Sequence, residues 1–180
     1  ANPWLFRPLP YPDSERLVGL RETEPLRQGQ AGGEWSLASA PNYLDWRERS
    51  RSFESVAAFE RSEANLATAD EPERIHAARV TASLFPTLRV PPVRGRGFTS
   101  DEDRPGGRPV ALVGHRLWQR RLGEEKGGLR QTLKLDGVVH EVVGVMPPGF
   151  AFPEYAEVWT PLRLERAGAD RDRRNLDVVA

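Results

Sequence analysis

The chain has 180 residues, with 26 Lys and Arg set against 26 Asp and Glu, three histidines and no cysteine. Zero net charge argues against a nucleic-acid binder, and the absence of cysteine excludes a disulfide framework, thiolate zinc sites and a cysteine nucleophile. Within these residues no apolar run approaches the ~18 of a membrane span, and no basic segment leads into a signal-type apolar stretch.

Gly and Pro number 16 each, which favours short strands and many turns over long helices. Residues 1–14 carry Trp4, Leu5, Phe6, Leu9 and Tyr11 among Pro3, Pro8, Pro10 and Pro12. Such spacing of prolines forbids a continuous helix or a central strand. Two readings stand side by side: the exit from a membrane helix, with aromatics at the interface, or an extended arm on the domain. Arg16 to Glu22 reads as a short strand, and the polar stretch Thr23 to Gly33 as a loop. Tyr43, Trp46, Ser50, Phe53, Val56 and Ala57 follow a 3–4 spacing. With Ser39 at the cap and Pro41 in the first turn, they predict a helix reaching residue 57. Asp45, Arg47, Glu48, Arg49 and Arg51 form its solvated face.

Ala58 to Ala69 and Glu73 to Ala82 predict a hairpin turning at Asp70-Glu71-Pro72. On its second arm Ile75, Ala77 and Val80 are expected on one face, His76 and Arg79 on the other. Ser83 caps a short turn, Leu84 to Leu88, and Val90 to Thr99 reads as loop. The acidic turn Asp101 to Gly107 marks a subdomain boundary. Pro109 to Val113 is a short buried strand, followed by a helix, His115 to Leu122, with Leu117, Trp118 and Leu122 inward and Gly123 as its stop. Leu129, Gln131, Leu133 and Leu135 share a parity, and Asp136-Gly137 marks a two-residue type I′ hairpin turn. Val138 to Met146 is almost continuously apolar, so it is expected to be covered on both faces. Pro147-Pro148-Gly149 ends it, and Glu157 to Leu162 is a further strand. Arg166 to Arg174 is a charged connection. Asn175 to Ala180 starts a strand with no turn signal after it, from which a longer native chain is expected.

Little here points to chemistry. His76, His115 and His140 lack metal-ligand spacing. There is no nucleophile elbow, no Walker A loop, and Gly95-Arg96-Gly97 lacks the third glycine of a dinucleotide fingerprint. Asp101, Glu102 and Asp103 offer oxygen ligands to a hard cation, but adjacent carboxylates do not converge as the alternating positions of a calcium loop do. Of Trp4, Trp35, Trp46, Trp118 and Trp159, Trp46 and Trp118 lie on apolar helix faces and read as core. No catalytic, cofactor-binding or metal-binding residue is assigned. These features describe an α+β binding or transmission module.

The ordered motifs carry a family resemblance. They are Arg7-Pro-Leu-Pro-Tyr-Pro-Asp13, Ala40-Pro-Asn-Tyr-Leu-Asp-Trp-Arg47, Ser52-Phe-Glu54, Glu71-Pro-Glu-Arg74, Ser83-Leu-Phe-Pro86, Arg94-Gly-Arg-Gly-Phe-Thr99 and Glu102-Asp-Arg-Pro-Gly-Gly107. Leu117-Trp-Gln-Arg-Arg-Leu-Gly123, Leu133-Lys-Leu-Asp-Gly137, Val142-Val-Gly-Val-Met-Pro-Pro-Gly-Phe150 and Val158-Trp-Thr-Pro-Leu162 follow. As a series they resemble the MacB-like periplasmic core domain of ABC transporter permeases, particularly the acidobacterial-type relatives. Arg89, where a glycine is common, and Leu129-Arg130, in place of Gly-Arg, depart from the pattern at turns only.

The resemblance implies an α+β fold: a porter-like α/β subdomain with an inserted second mixed α/β subdomain, short strands and few helices. On that plan residues 1–14 form a membrane-exit arm, 15–104 the first part of the porter-like subdomain, 105–165 the insertion, and 166–180 the start of the returning strand, truncated here. It implies a non-catalytic domain on the periplasmic side of the bacterial inner membrane, transmitting ATP-driven motion to periplasmic partners or to exported substrate. No cofactor is expected in the segment, since ATP is used by a separate cytoplasmic ABC ATPase reached through the membrane helices. A periplasmic adaptor and a homodimeric permease are the other implied partners, with no nucleic acid. An apolar span is expected to precede Ala1 in the parent chain. The alternative is a small periplasmic ligand-binding or hydrolytic α+β domain built around the acidic turn at Asp101.

Overall fold

A computed structural model describes residues 14–23, 35–68, 71–123, 131–166 and 170–180. Strands β1 (Gly19–Leu20), β2 (Glu22–Thr23), β3 (Trp35–Ser36) and β4 (Ala38–Ser39) precede helix α1 (Ala40–Arg49). The strands β5 (Ala57–Leu66) and β6 (Glu73–Val80) lead to the single-turn α2 (Leu84–Thr87), then β7 (Arg94–Gly95) and β8 (Val110–Val113). Helix α3 (His115–Leu117) continues as a π-wound turn (Trp118–Leu122), and β9 (Thr132–Leu135), β10 (Val138–Val145), β11 (Val158–Pro161) and β12 (Arg174–Val179) follow. This is the mixed α/β architecture that the resemblance implies, with the short strands and few helices that the Gly and Pro content favours.

The chain packs as two units that interleave in sequence. Ala1–Ala58, Ser83–Val90 and Glu165–Ala180 make the first, Phe59–Ala82 and Pro91–Leu164 the second. Subdomain limits drawn on the family plan, at 104/105 and 165/166, are a different division from these packing units.

In the first unit, β12 is the central strand. It pairs antiparallel with β1, Val179 opposite Gly19, and with β4, Leu176 opposite Ala38. The strand predicted over Arg16 to Glu22 resolves into two, because the chain switches partners at Arg21: Glu22 and Thr23 pair instead with Ser36 and Trp35 of β3. Helix α1 buries Pro41, Tyr43 and Leu44. It does not reach residue 57. Ser50 is already extended at φ −68° and ψ 131°, with its N–H bonded to the Trp46 carbonyl. Serines at 50 and 52 favour non-helical backbone. Downstream, the Val56 carbonyl accepts from the Tyr43 hydroxyl at 3.4 Å and the Ser83 hydroxyl at 3.0 Å instead of from a helical amide. Residues 1–13 of the expected arm and 24–33 of the predicted loop lie outside the described residues.

The second unit is a closed sheet. The predicted hairpin forms, with β5 and β6 in register from Phe59 opposite Val80 to Leu66 opposite Glu73. From β6 the order runs β11, β8, β10 and β9, and Leu66 pairs with Leu135 to return the ring to β5. Closure removes the exposed edges that an open sheet of this size would carry. Leu66, Ile75, Val113, Leu133 and Val145 share one apolar cluster with Leu117, Trp118 and Leu122 of the helical turn. All four residues of β8 are buried, as their unbroken apolar run predicts.

Two expectations change here. Strand β10 is covered only over its second half. Val138 and Val139 are 50% and 53% exposed, because β8 pairs with β10 only from Glu141 onward. On β6 the two-residue strand period puts Ile75 and Ala77 on the inner face and His76, Ala78 and Val80 on the outer one. Ala78 and Val80 are nonetheless fully buried, so the outer face is covered over the C-terminal half of the strand, while Arg79, expected beside His76, falls on the parity of Ile75 and Ala77 and is exposed. Residues 94 and 95 of the predicted loop form the short β7, paired with Val145 and Gly144.

Candidate functional site

The acidic turn is where the sequence offers its densest carboxylates. Thr99-Ser-Asp-Glu102 has the spacing of a capping box, and the turn uses it as one. The Thr99 N–H donates to Glu102 Oε2 at 2.9 Å, and the Glu102 N–H donates to Thr99 Oγ1 at 3.3 Å. That reciprocal pair turns Glu102 inward, leaving it 4% exposed. Arg96 meets it with both terminal nitrogens, Nη2 to Oε1 at 2.7 Å and Nη1 to Oε2 at 2.9 Å. The Arg96 guanidinium, aided by the Thr99 N–H, holds the Glu102 carboxyl down at about 2, against the opposing effect of burial. Arg108 stands 3.7 Å from the same carboxylate and 3.6 Å from Glu141.

Asp103 faces the other way. Its Oδ2 accepts from the Ala82 N–H at 2.8 Å and its Oδ1 from the Arg163 N–H at 3.0 Å. The Arg163 guanidinium closes the ring, donating to the carbonyls of Glu102 at 3.2 Å and Arg108 at 2.5 Å. Asp101 points to solvent and pairs with Arg104 at 2.7 Å. Three consecutive carboxylates therefore diverge onto separate internal partners. Glu102 stays ionised across the neutral range, which suits a brace and not an acid–base catalyst whose proton must move near neutral pH.

The three histidines lie on separate elements. His76 is exposed on β6, and His115 sits 5.9 Å from the Trp118 ring. His140 has Nδ1 3.0 Å from the Val138 carbonyl oxygen, and burial lowers its pKa. Among the described residues no group of three or more His, Asp or Glu is placed to hold a metal ion. Trp118 and Trp159 are core, Trp159 donating its indole N–H to the Phe152 carbonyl at 2.7 Å. Trp46 is half-buried and Trp35 exposed.

Sequence reasoning missed a second buried carboxylate. In the first unit Glu22 Oε1 accepts from the Ser39 N–H at 2.7 Å, the Ser39 hydroxyl at 3.1 Å and Asn42 Nδ2 at 2.7 Å, while Oε2 lies 3.1 Å from Arg174 Nε. Ser39 occupies the N-cap of α1 but makes no side-chain cap. Glu22 supplies the negative charge that the helix N-terminus favours. No local pattern links positions 22 and 39, so only the fold reveals this pair. Outside it, Asp45 is held below the ordinary carboxylate range by Arg171 and Arg166, and Glu73, in the second unit, chiefly by Arg121.

Residues 9–180 match the family model of the MacB-like periplasmic core domain. No curated protein sequence matches the chain. Solved structures share its fold, three of which follow. The extracellular domain of the noncanonic ABC-type transporter YknZ from Gram-positive bacteria is 14% identical with a TM-score of 0.59, over 80% of this chain and 72% of that one. The periplasmic region of MacB from Actinobacillus actinomycetemcomitans is 15% identical with a TM-score of 0.60, over 80% of this chain and 64% of that one. A domain of a putative permease protein from Porphyromonas gingivalis is 14% identical with a TM-score of 0.65, over 94% and 73%. With the family model covering all but the first eight residues, the chain belongs to the MacB-like periplasmic core domain family of ABC transporter permeases.

Proposed function

We propose that this domain is a non-catalytic transmission element of an ABC-type export permease, passing ATP-driven movement of membrane helices to partners or substrate on the periplasmic side. ATP is consumed by a separate cytoplasmic ATPase domain or subunit. A periplasmic adaptor and a second copy of the permease are the proposed partners. The observation that carries the reading is the fate of the acidic turn. Asp101, Glu102 and Asp103 are all engaged by arginines or backbone amides of the domain itself, in a chain whose family model spans residues 9–180. The bidentate Arg96–Glu102 brace fixes geometry, which a force-transmitting part needs, and the other two carboxylates are engaged as well. These contacts leave no poised acid or base for the hydrolytic alternative.

The test uses the parent permease with its ATPase in lipid nanodiscs and proteoliposomes. Replacing residues 14–180 by a short linker should leave basal ATP hydrolysis intact and abolish export along with partner-stimulated hydrolysis. Export that survives the replacement overturns the proposal. So does turnover of an ester, peptide or phosphate substrate by the isolated domain that is lost in Asp101→Ala.

A further inference from the structure

After β10 the chain crosses the outer face of the β5–β6 hairpin before it enters β11. Phe152 in this crossing meets Phe59 edge-on, ring centroids 5.0 Å apart. Ala78 and Val80, on the same outer face, have no exposed surface. The cover then stops. His76, two residues before Ala78, is exposed, as is Glu63 directly across from it on β5.

At the margin of the cover stands Tyr155. It is 74% exposed, its backbone is left-handed at φ 64°, and its ring lies 6.2 Å from the His76 ring with planes inclined at 45°. Bulky side chains rarely adopt that backbone, so the fold accepts local strain to stand a phenol ring in water beside a sheet face. The strand register places Arg61 and Glu63 of β5 beside Arg74 and His76 of β6 on this face. Arg74 pairs with Glu63, and Arg61 pairs with Glu154 at 3.7 Å. The result is an open corner: two tilted rings bordered by two guanidiniums and two carboxylates whose charges cancel.

We propose that this corner binds a neutral saccharide. The apolar face of a pyranose ring stacks on Tyr155, while His76 and the planar ends of Glu63 and Arg61 exchange hydrogen bonds with its hydroxyls. Tyrosine offers a rigid apolar plane at low entropic cost. Carboxylate and guanidinium groups match paired hydroxyls in donors and acceptors. A balanced charge gives no long-range attraction to an anionic or cationic ligand.

Two-dimensional NMR of the isotope-labelled 180-residue chain tests this, titrated with tetra-N-acetylchitotetraose and in parallel with maltotetraose, both uncharged. One or both sugars should give saturable shifts centred on Glu63, His76, Glu154 and Tyr155. Tyr155→Ala should weaken binding by about tenfold, a loss of one aromatic contact, and Tyr155→Trp should retain it. Tyr155→Gly relieves the backbone strain, so it should lose binding while the rest of the spectrum stays native, separating loss of the ring from loss of the fold. Shifts that persist undiminished in Tyr155→Ala, or silence with both sugars, overturn the proposal. Saturable shifts at the same residues with an uncharged tetrapeptide and none with either sugar reassign the corner to protein docking and overturn it as well.

Discussion

Asn65 donates both its backbone N–H and its side-chain amide to the same oxygen of Asp136, each at 2.9 Å. Asp136 returns its own N–H to the Asn65 carbonyl at 3.0 Å, and one residue on, the Ala67 N–H donates to the Lys134 carbonyl at 2.9 Å. These bonds surround Leu66 and Leu135, the single residue pair that joins β5 to β9. The aspartate of a hairpin turn thus also clasps the ring of strands shut.

Asp136→Ala should therefore cost more than an exposed turn residue usually does. It removes an acceptor of two bonds and places alanine at φ 47°. The expected loss is about 1–3 kcal/mol in urea unfolding, with faster hydrogen exchange at the Ala67 amide. Asp136→Asn keeps the acceptor and tolerates the left-handed backbone, so it should stay within ~0.5 kcal/mol of the parent.

Glu102 makes stability depend on acid. Its folded-state pKa of about 2 lies below the 4.5 of an unperturbed glutamate. A depressed carboxylate adds stability that is complete above the unfolded value and is lost as pH falls from about 4.5 toward 2. The contribution is on the order of 2–3 kcal/mol, allowing for the partly exposed Arg96. Urea titrations at successive pH values should show this loss in the parent. Glu102→Gln should be weaker at neutral pH and lack that share of the acid decline.

Gly144 pairs with Gly95 where β10 carries an irregularity in its register with β8. A Cβ there would meet the Arg96 carbonyl oxygen at 2.6 Å, Leu112 Cδ2 at 2.7 Å and the Arg94 carbonyl oxygen at 2.9 Å. Backbone cannot yield as a flexible side chain does. Gly144→Ala should cost about 1–3 kcal/mol and push β7 outward. Exchange should accelerate at the Val93 and Arg96 amides, which bond to the Val145 and Val143 carbonyls.

Glu22→Ala should leave the buried Ser39 N–H without its acceptor, at a cost of about 1–3 kcal/mol. Glu22→Gln retains an amide oxygen for Ser39 and Asn42 but loses the charge facing Arg174. Its loss should be smaller and should change little with salt, because the pair with Arg174 is largely buried and weakly screened. Chemical denaturation of both variants at two ionic strengths checks the split.

Local signals were readable where one short segment contains the whole cause. Asp136-Gly137 specified a type I′ turn, the apolar run at Val110 to Val113 a buried strand, and Gly123 the end of the helix before it. The capping-box spacing at Thr99 and Glu102 is equally local. The helix end at Arg49 was not readable, because the 3–4 spacing continues through Phe53 and Val56 while the Val56 carbonyl is taken by the distant Tyr43 and Ser83 hydroxyls. The exposure of Val138 and Val139 depends on where β8 stops along a neighbouring strand, which their own apolar character does not reveal.

Composition and motif order, without any coordinates, determined the mixed α/β class, the absence of cysteine chemistry and the family resemblance that the family model bears out. Each of these is a property of residue type and of neighbours along the chain. The tertiary structure decided which charges face one another: Glu102 with Arg96, Glu22 with Arg174, and Asp45 with Arg166 and Arg171. A zero net charge is compatible with any pairing among 26 bases and 26 acids. Only chain folding brings a particular guanidinium within hydrogen-bond reach of a particular carboxylate, and burial then makes that choice energetically binding.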